Sequence, residues 1–196
     1  MAIVTYPNPT RHSAIGLRPM SNVFQTRSEI THARQVVDSG YSWWEASLTV
    51  GNMTDEDARA WRLFFGRCRG ASNTFRVPVT KREQHTGAFT VQSNGTGTGF
   101  SLPTDGWPAN TTAMRADDLV TVGDQLMRLD ADVTANGSGQ ATLQFHAPLR
   151  GTVANNTLIE TRSPWLMASL PESSPILTVS MGDIQPGFSF EVMEAF

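Results

Sequence analysis

The run Tyr41-Ser42-Trp43-Trp44-Glu45-Ala46-Ser47-Leu48-Thr49-Val50 alternates large apolar and polar side chains. It leads into Thr54-Asp55-Glu56-Asp57-Ala58-Arg59-Ala60-Trp61-Arg62-Leu63-Phe64-Phe65-Gly66-Arg67-Cys68-Arg69-Gly70 and then Asn73-Thr74-Phe75-Arg76-Val77-Pro78-Val79. In the first run Trp44, Ala46, Leu48 and Val50 share one parity, the period of two that turns one strand face to a core. Trp44 is thus expected in the core and Trp43 at an edge or an interface. In the second, Ala58, Trp61, Phe64 or Phe65 and Cys68 recur at steps of three and four, an apolar helical stripe. Thr54 suits the N-cap, three acids sit at the positive end of the dipole, Arg residues fill the later turns, and Gly70 can take a left-handed stop. This predicts a helix over residues 54–69, and the third run returns as a strand.

Working outward, residues 23–27, 29–37 and 41–50 read as strands, the last two joined into a hairpin by Asp38-Ser39-Gly40, which is turn chemistry. Residues 1–20 carry Pro7, Pro9 and Pro19 with little periodicity and are expected to form an extended N-terminal arm. Between 81 and 162 the chain turns rich in Gly and Thr. Short runs at 88–91, 119–122, 125–129 and 140–145, with turns at Gly123-Asp124 and Asn136-Gly137-Ser138-Gly139, give a meander of strands. Residues 165–170, 176–181 and 188–196 read as further strands. The expected fold is mainly β with one α-helix. A β-sandwich or barrel hub domain (21–80 and 163–196, with the helix at 54–69) carries a small inserted β subdomain (81–162).

The chain has 196 residues, and 15 Lys and Arg stand against 18 Asp and Glu, so a net charge of -3 gives no general attraction to nucleic acid or an anionic membrane. No apolar run exceeds four residues, whereas a spanning helix needs about 20 and a signal-peptide core about 7 to 15, so neither membrane insertion nor Sec export is expected. The single Cys68 excludes an internal disulfide and a multi-thiolate metal site.

The chemical motifs fail one by one. Gly95-Thr96-Gly97-Thr98-Gly99-Phe100 has Phe100 where a dinucleotide fingerprint needs glycine and lacks Gly-Lys-Ser/Thr, so a flexible loop tip is the better reading. His12, His32, His85 and His146 stand far apart with no metal-ligand spacing. Asp117-Asp118, Asp124, Asp130 and Asp132 lack the register of a calcium loop and read as turn acids. Gly137-Ser138-Gly139 is not a nucleophile elbow, and Cys68 lies on the apolar helix stripe as a packed thiol. No enzyme activity, cofactor or metal is expected.

The residues at 44–48 leading into Thr54-Asp55-Glu56-Asp57-Ala58-Arg59-Ala60-Trp61-Arg62-Leu63-Phe64-Phe65, together with Arg69-Gly70 and Asn73-Thr74-Phe75, resemble tail proteins of double-stranded DNA bacteriophages. The same holds for Gly123-Asp124-Gln125-Leu126-Met127-Arg128-Leu129, for Gly137-Ser138-Gly139-Gln140-Ala141-Thr142-Leu143 with Pro148-Leu149-Arg150, and for Phe188-Ser189-Phe190-Glu191-Val192. These patterns of packing and turn residues cover most of the chain past residue 40 and are similar to the distal tail and tail-tip hub family. The resemblance implies a structural virion component of the tail, assembled in the host cytoplasm. Its partners would be copies of itself in a hexameric ring, the tail tube and the tip or hub proteins. With 196 residues, any peripheral domain would be small. Arg59, Arg62 and Arg67 on the helix, with Trp43 and Trp107, are the candidate subunit-interface residues. The alternative is a carbohydrate-binding β-sandwich module or small glycan hydrolase, for which Trp107 in Leu102-Pro103-Thr104-Asp105-Gly106-Trp107-Pro108 would be the exposed platform.

Overall fold

The computed structural model describes residues 1–7, 12–171 and 184–196, leaving aside the side chain of Asp38. The chain begins with β1 (Ile3–Val4), β2 (Ala14–Arg27), β3 (Arg34–Val50), β4 (Met53–Thr54), α1 (Asp55–Cys68) and β5 (Thr74–Pro78). There follow β6 (Val91–Ser93), β7 (Gly97–Asp105), β8 (Thr112–Met114), β9 (Leu119–Val122), β10 (Gln125–Arg128), β11 (Val133–Thr134) and β12 (Ala141–Val153). The last strands are β13 (Leu158–Glu160), β14 (Trp165–Ser169), β15 (Ile184–Gln185) and β16 (Phe188–Glu194). Among the described residues the protein is mostly β with a single α-helix, and 53% of them lie in strands. The expected strand at 176–181 lies outside the described residues. Among the described residues no helix is long and apolar enough to cross a membrane.

Two compact units divide the chain. One comprises Met1–Arg18, Trp44–Val79 and Trp165–Phe196, and the other Pro19–Trp43 and Thr80–Pro164. In the first, a six-stranded sheet runs in the order β1-β5-β14-β16-β3-β2. β16 is antiparallel to β3 with Phe190 opposite Leu48 and Val192 opposite Ala46, so the alternation read from residues 44–50 becomes one buried face. Helix α1 supplies the layer that this face needs. Thr54 caps it, its hydroxyl accepting from Asp57 N at 3.3 Å, and Arg69 closes it in the left-handed region at φ 51, one residue before the glycine expected to do so. Ala58, Trp61, Phe64, Phe65 and Cys68 are its buried residues. Trp61 is the centre of an aromatic cluster, 5.4 Å from Phe188, 5.7 Å from Phe190 and 5.3 Å from Tyr6, in edge contacts.

Tyr6 in that cluster ties the N-terminal segment, expected as an extended arm over 1–20, into the first unit. β1 pairs in parallel with β5 (Val4 opposite Phe75), Val4 is buried, and Ser13 N donates to Thr49 O at 2.7 Å before β2 begins. The prolines bias the backbone to extended geometry, but Val4 and Tyr6 bury enough apolar surface to fix the segment. The hairpin turn is also displaced. β3 runs unbroken through Asp38-Ser39-Gly40, with Gly40 left-handed at φ 72 inside the strand, as a bulge glycine can be. The chain reverses instead at 28–33, where His32 N donates to Ser28 O and Ser28 N to Ala33 O, each at 3.0 Å.

The second unit centres on a nearly closed, barrel-like sheet, ordered β10-β9-β13-β6-β7-β12, with a Leu129–Phe145 bridge between its end strands. The buried residues Leu102, Val120, Met127, Leu129, Leu143 and Phe145 belong to its core cluster. The glycine-rich stretch read as a flexible loop tip starts strand β7, and a side chain at Gly97 would collide with Leu102. Residues 80–90 form no strand but are pinned to the barrel. Gln84 donates to Leu119 O and Thr161 O at 2.6 and 2.8 Å, and His85 Nε2 lies 2.9 Å from Thr161 Oγ1. Burial lowers the His85 pKa.

Candidate functional site

The expected interface residues fall in different units and settings. Arg59 and Arg67 are exposed on α1, while Arg62 is half-buried and pairs with Asp55 at 3.3 Å across two turns of the same helix. Trp43 is half-buried in β3. Trp107 corrects both of its readings. It is only 4% exposed, its indole N–H donates to Thr104 Oγ1 at 2.8 Å, and it stands 5.8 Å from Phe89 inside the barrel core. The loop Asp105-Gly106-Trp107 needs an anchor, and a buried indole with a satisfied N–H supplies one. It is neither an exposed sugar platform nor a subunit contact.

The groups that chemistry would require serve the turns. Asp118 accepts from Arg115 N within the β8–β9 turn and Asp132 from Ala116 N, both at 2.8 Å, the second tying that turn to the loop that leads from β10 into β11. Asp117 lies 3.6 Å from Arg128, and Asp130 3.3 Å from His146. His12 Nδ1 lies 3.0 Å from the Tyr6 hydroxyl, and burial raises the Tyr6 pKa. Among the described residues no three His, Cys, Asp or Glu gather as metal ligands would.

Cys68 is wholly buried, and burial pushes its thiol up to about 11. A nucleophile at neutral pH needs the opposite displacement. Because the folded state holds the thiol proton more tightly than the unfolded chain, with its ordinary value of 9.0, stability is full below that value and falls as pH rises toward 11. The loss is expected to reach about 2–3 kcal/mol. Urea melts across that window should show Cys68→Ala lacking this part of the alkaline loss. Equal pH dependence in both proteins would contradict it.

Two surfaces remain that the sequence reading passed over. Every described side chain from 23 to 37 is exposed, although the stretch includes Phe24 (63% exposed), Ile30 (92%), Val36 and Val37. Ile30 stands at the apex of the turn, where polar residues are the rule. Arg27, His32 and Arg34, with Gln25 and Thr26, line a hollow beside it. At the base of this hairpin segment Arg150 donates to Ser42 O at 3.1 Å. The second surface is a groove of about 330 Å³ in the first unit, lined among others by Gly16, Arg18, Glu45, Ser47, Glu191 and Met193. Ser47 lies opposite Glu191 and Glu45 opposite Met193, so these four share the sheet face that α1 does not cover. The sequence signal for the first surface was an isoleucine inside Thr26-Arg27-Ser28-Glu29-Ile30-Thr31-His32. For the groove there was none, because its two acids come from strands 146 positions apart. Set against known proteins, the chain matches no family model, and no curated protein matches it.

Proposed function

We propose that this protein is a structural component of a bacteriophage tail, a ring-forming distal tail or tail-tip hub protein that links the tail tube to the tip and has no active site. The observation that carries the reading is the exposed hairpin segment. A two-stranded ribbon is marginal alone in water, and one that presents Phe24, Ile30, Val36 and Val37 to solvent has the character of an assembly surface. The tail-protein patterns in the sequence, from the strand and helix at 44–65 to the closing run at 188–192, support the same reading. The carbohydrate-binding alternative loses its best residue with the burial of Trp107, and of the acids that a hydrolase could use, Asp118 and Asp132 are engaged by turn backbone while Asp117 and Asp130 lie against Arg128 and His146. The chain would act as a copy among copies, most simply a hexamer, with heterologous contacts that close on themselves.

Quantitative mass spectrometry of purified tails is the test. The expected result is this chain at the copy number of a hexameric ring per tail. Its absence from purified particles would overturn the reading.

A further inference from the structure

We propose that the hairpin apex at Ile30 docks, on a second copy of this chain, into the groove lined by Arg18, Glu45 and Glu191. The contact deepens the assembly reading above and rests on it for closure into a ring. Its apolar part is Ile30, 92% exposed on a turn held by the Ser28, Ala33 and His32 backbone bonds, so the knob is presented in a fixed shape with little left to order on docking. Its polar part is complementary in charge. Arg27 and Arg34 flank the turn against the single acid Glu29, while the groove carries Glu45 and Glu191 against the single Arg18. The donor surface is thus net positive and the acceptor net negative, which steers the apex to the groove and disfavours apex on apex or groove on groove. Met193, 41% exposed on the same face, gives the groove an adaptable apolar wall. A knob on one patch and a groove on a different patch make a heterologous contact, the kind that builds rings.

The test uses the full chain and cysteine reporters, for which the native Cys68 is silent because it is buried. Glu29→Cys, which keeps Ile30 in place, and Ser47→Cys proteins are oxidised alone and mixed, with Met193→Cys as a second reporter of the groove. The expected result is a disulfide-linked dimer formed in the mixture. Arg27→Glu with Arg34→Glu in the apex partner should lower that yield up to about tenfold, as two exposed ion pairs allow. Glu45→Lys with Glu191→Lys in the groove partner should restore it. No cross-link with either groove reporter, or self-cross-linking of one variant as fast as the mixture, would overturn the contact. A hexameric ring in the tail without the cross-link removes this contact alone. The cross-link in a protein absent from tails removes the tail reading alone.

Discussion

Trp61→Ala is expected to cost about 3–5 kcal/mol, the range for truncating a buried tryptophan, out of a typical domain stability of about 5–15 kcal/mol. The indole is completely buried and touches both layers of the first unit: Phe64 and Phe65 on its own helix, Phe188 and Phe190 on β16, and Tyr6 from the N-terminal segment. Its removal leaves a cavity where helix, sheet and N-terminal segment meet, with no single flexible neighbour able to fill it. Among the described residues its Nε1–H finds no acceptor, so packing alone holds the ring. Trp61→Phe should lose clearly less than Trp61→Ala, because it keeps a ring in the packed site and leaves a smaller cavity, while both variants shed an orphaned donor whose burial costs about 1–3 kcal/mol. Urea unfolding followed by circular dichroism measures both. An alanine variant with an unchanged midpoint would contradict the packing described.

Gly106→Ala should destabilise the second unit by about 2–4 kcal/mol, combining left-handed strain with overpacking. Gly106 has φ +86, and a Cβ there would fall against the carbonyl oxygen of Thr90, a backbone atom that cannot swing aside. The glycine lets the chain turn from β7 and drop Trp107 into the barrel, where Trp107 N donates to Gly139 O at 3.1 Å. The expected readout is a lower melting transition together with a solvent-shifted Trp107 fluorescence. Gly123→Ala serves as the comparison: its φ is +60, but no atom stands within 4 Å of the added Cβ, so only the strain remains and the loss should be smaller. Equal losses at both glycines would remove the steric part of the account.

Local patterns were legible where one element decides its own geometry. The parity of Trp44, Ala46, Leu48 and Val50, the stripe from Ala58 to Cys68 and the Thr54 cap can each be read from a dozen residues, and each stands in the structure as read. What failed depended on partners distant in sequence. Asp38-Ser39-Gly40 has turn composition, but the reversal at 28–33 lets β3 reach from Arg34 to Val50, and Gly40 keeps its positive φ within the strand. Trp107 looked exposed because its neighbours are Gly, Pro and Asp, while its burial depends on Gly139 and Thr104 closing around it. Tyr6 could be placed in the core only once Phe75 and the helix were in position. The two surfaces proposed for assembly were hidden for the same reason: the groove exists only after β3 and β16 pair, and exposure at Ile30 is a property of the folded ribbon.

The bearing of those surfaces on function is that the chain exposes apolar groups where a solitary domain would keep polar ones, and uses its acids and histidines in turns and anchors. On the reading proposed above, a protein built in this way is completed by neighbours. A cryo-electron microscopy map of the assembled tail tests that claim most directly. The account predicts this chain in a closed hexameric ring between tube and tip, each hairpin apex seated on the next subunit; the chain standing outside any symmetric ring would contradict it.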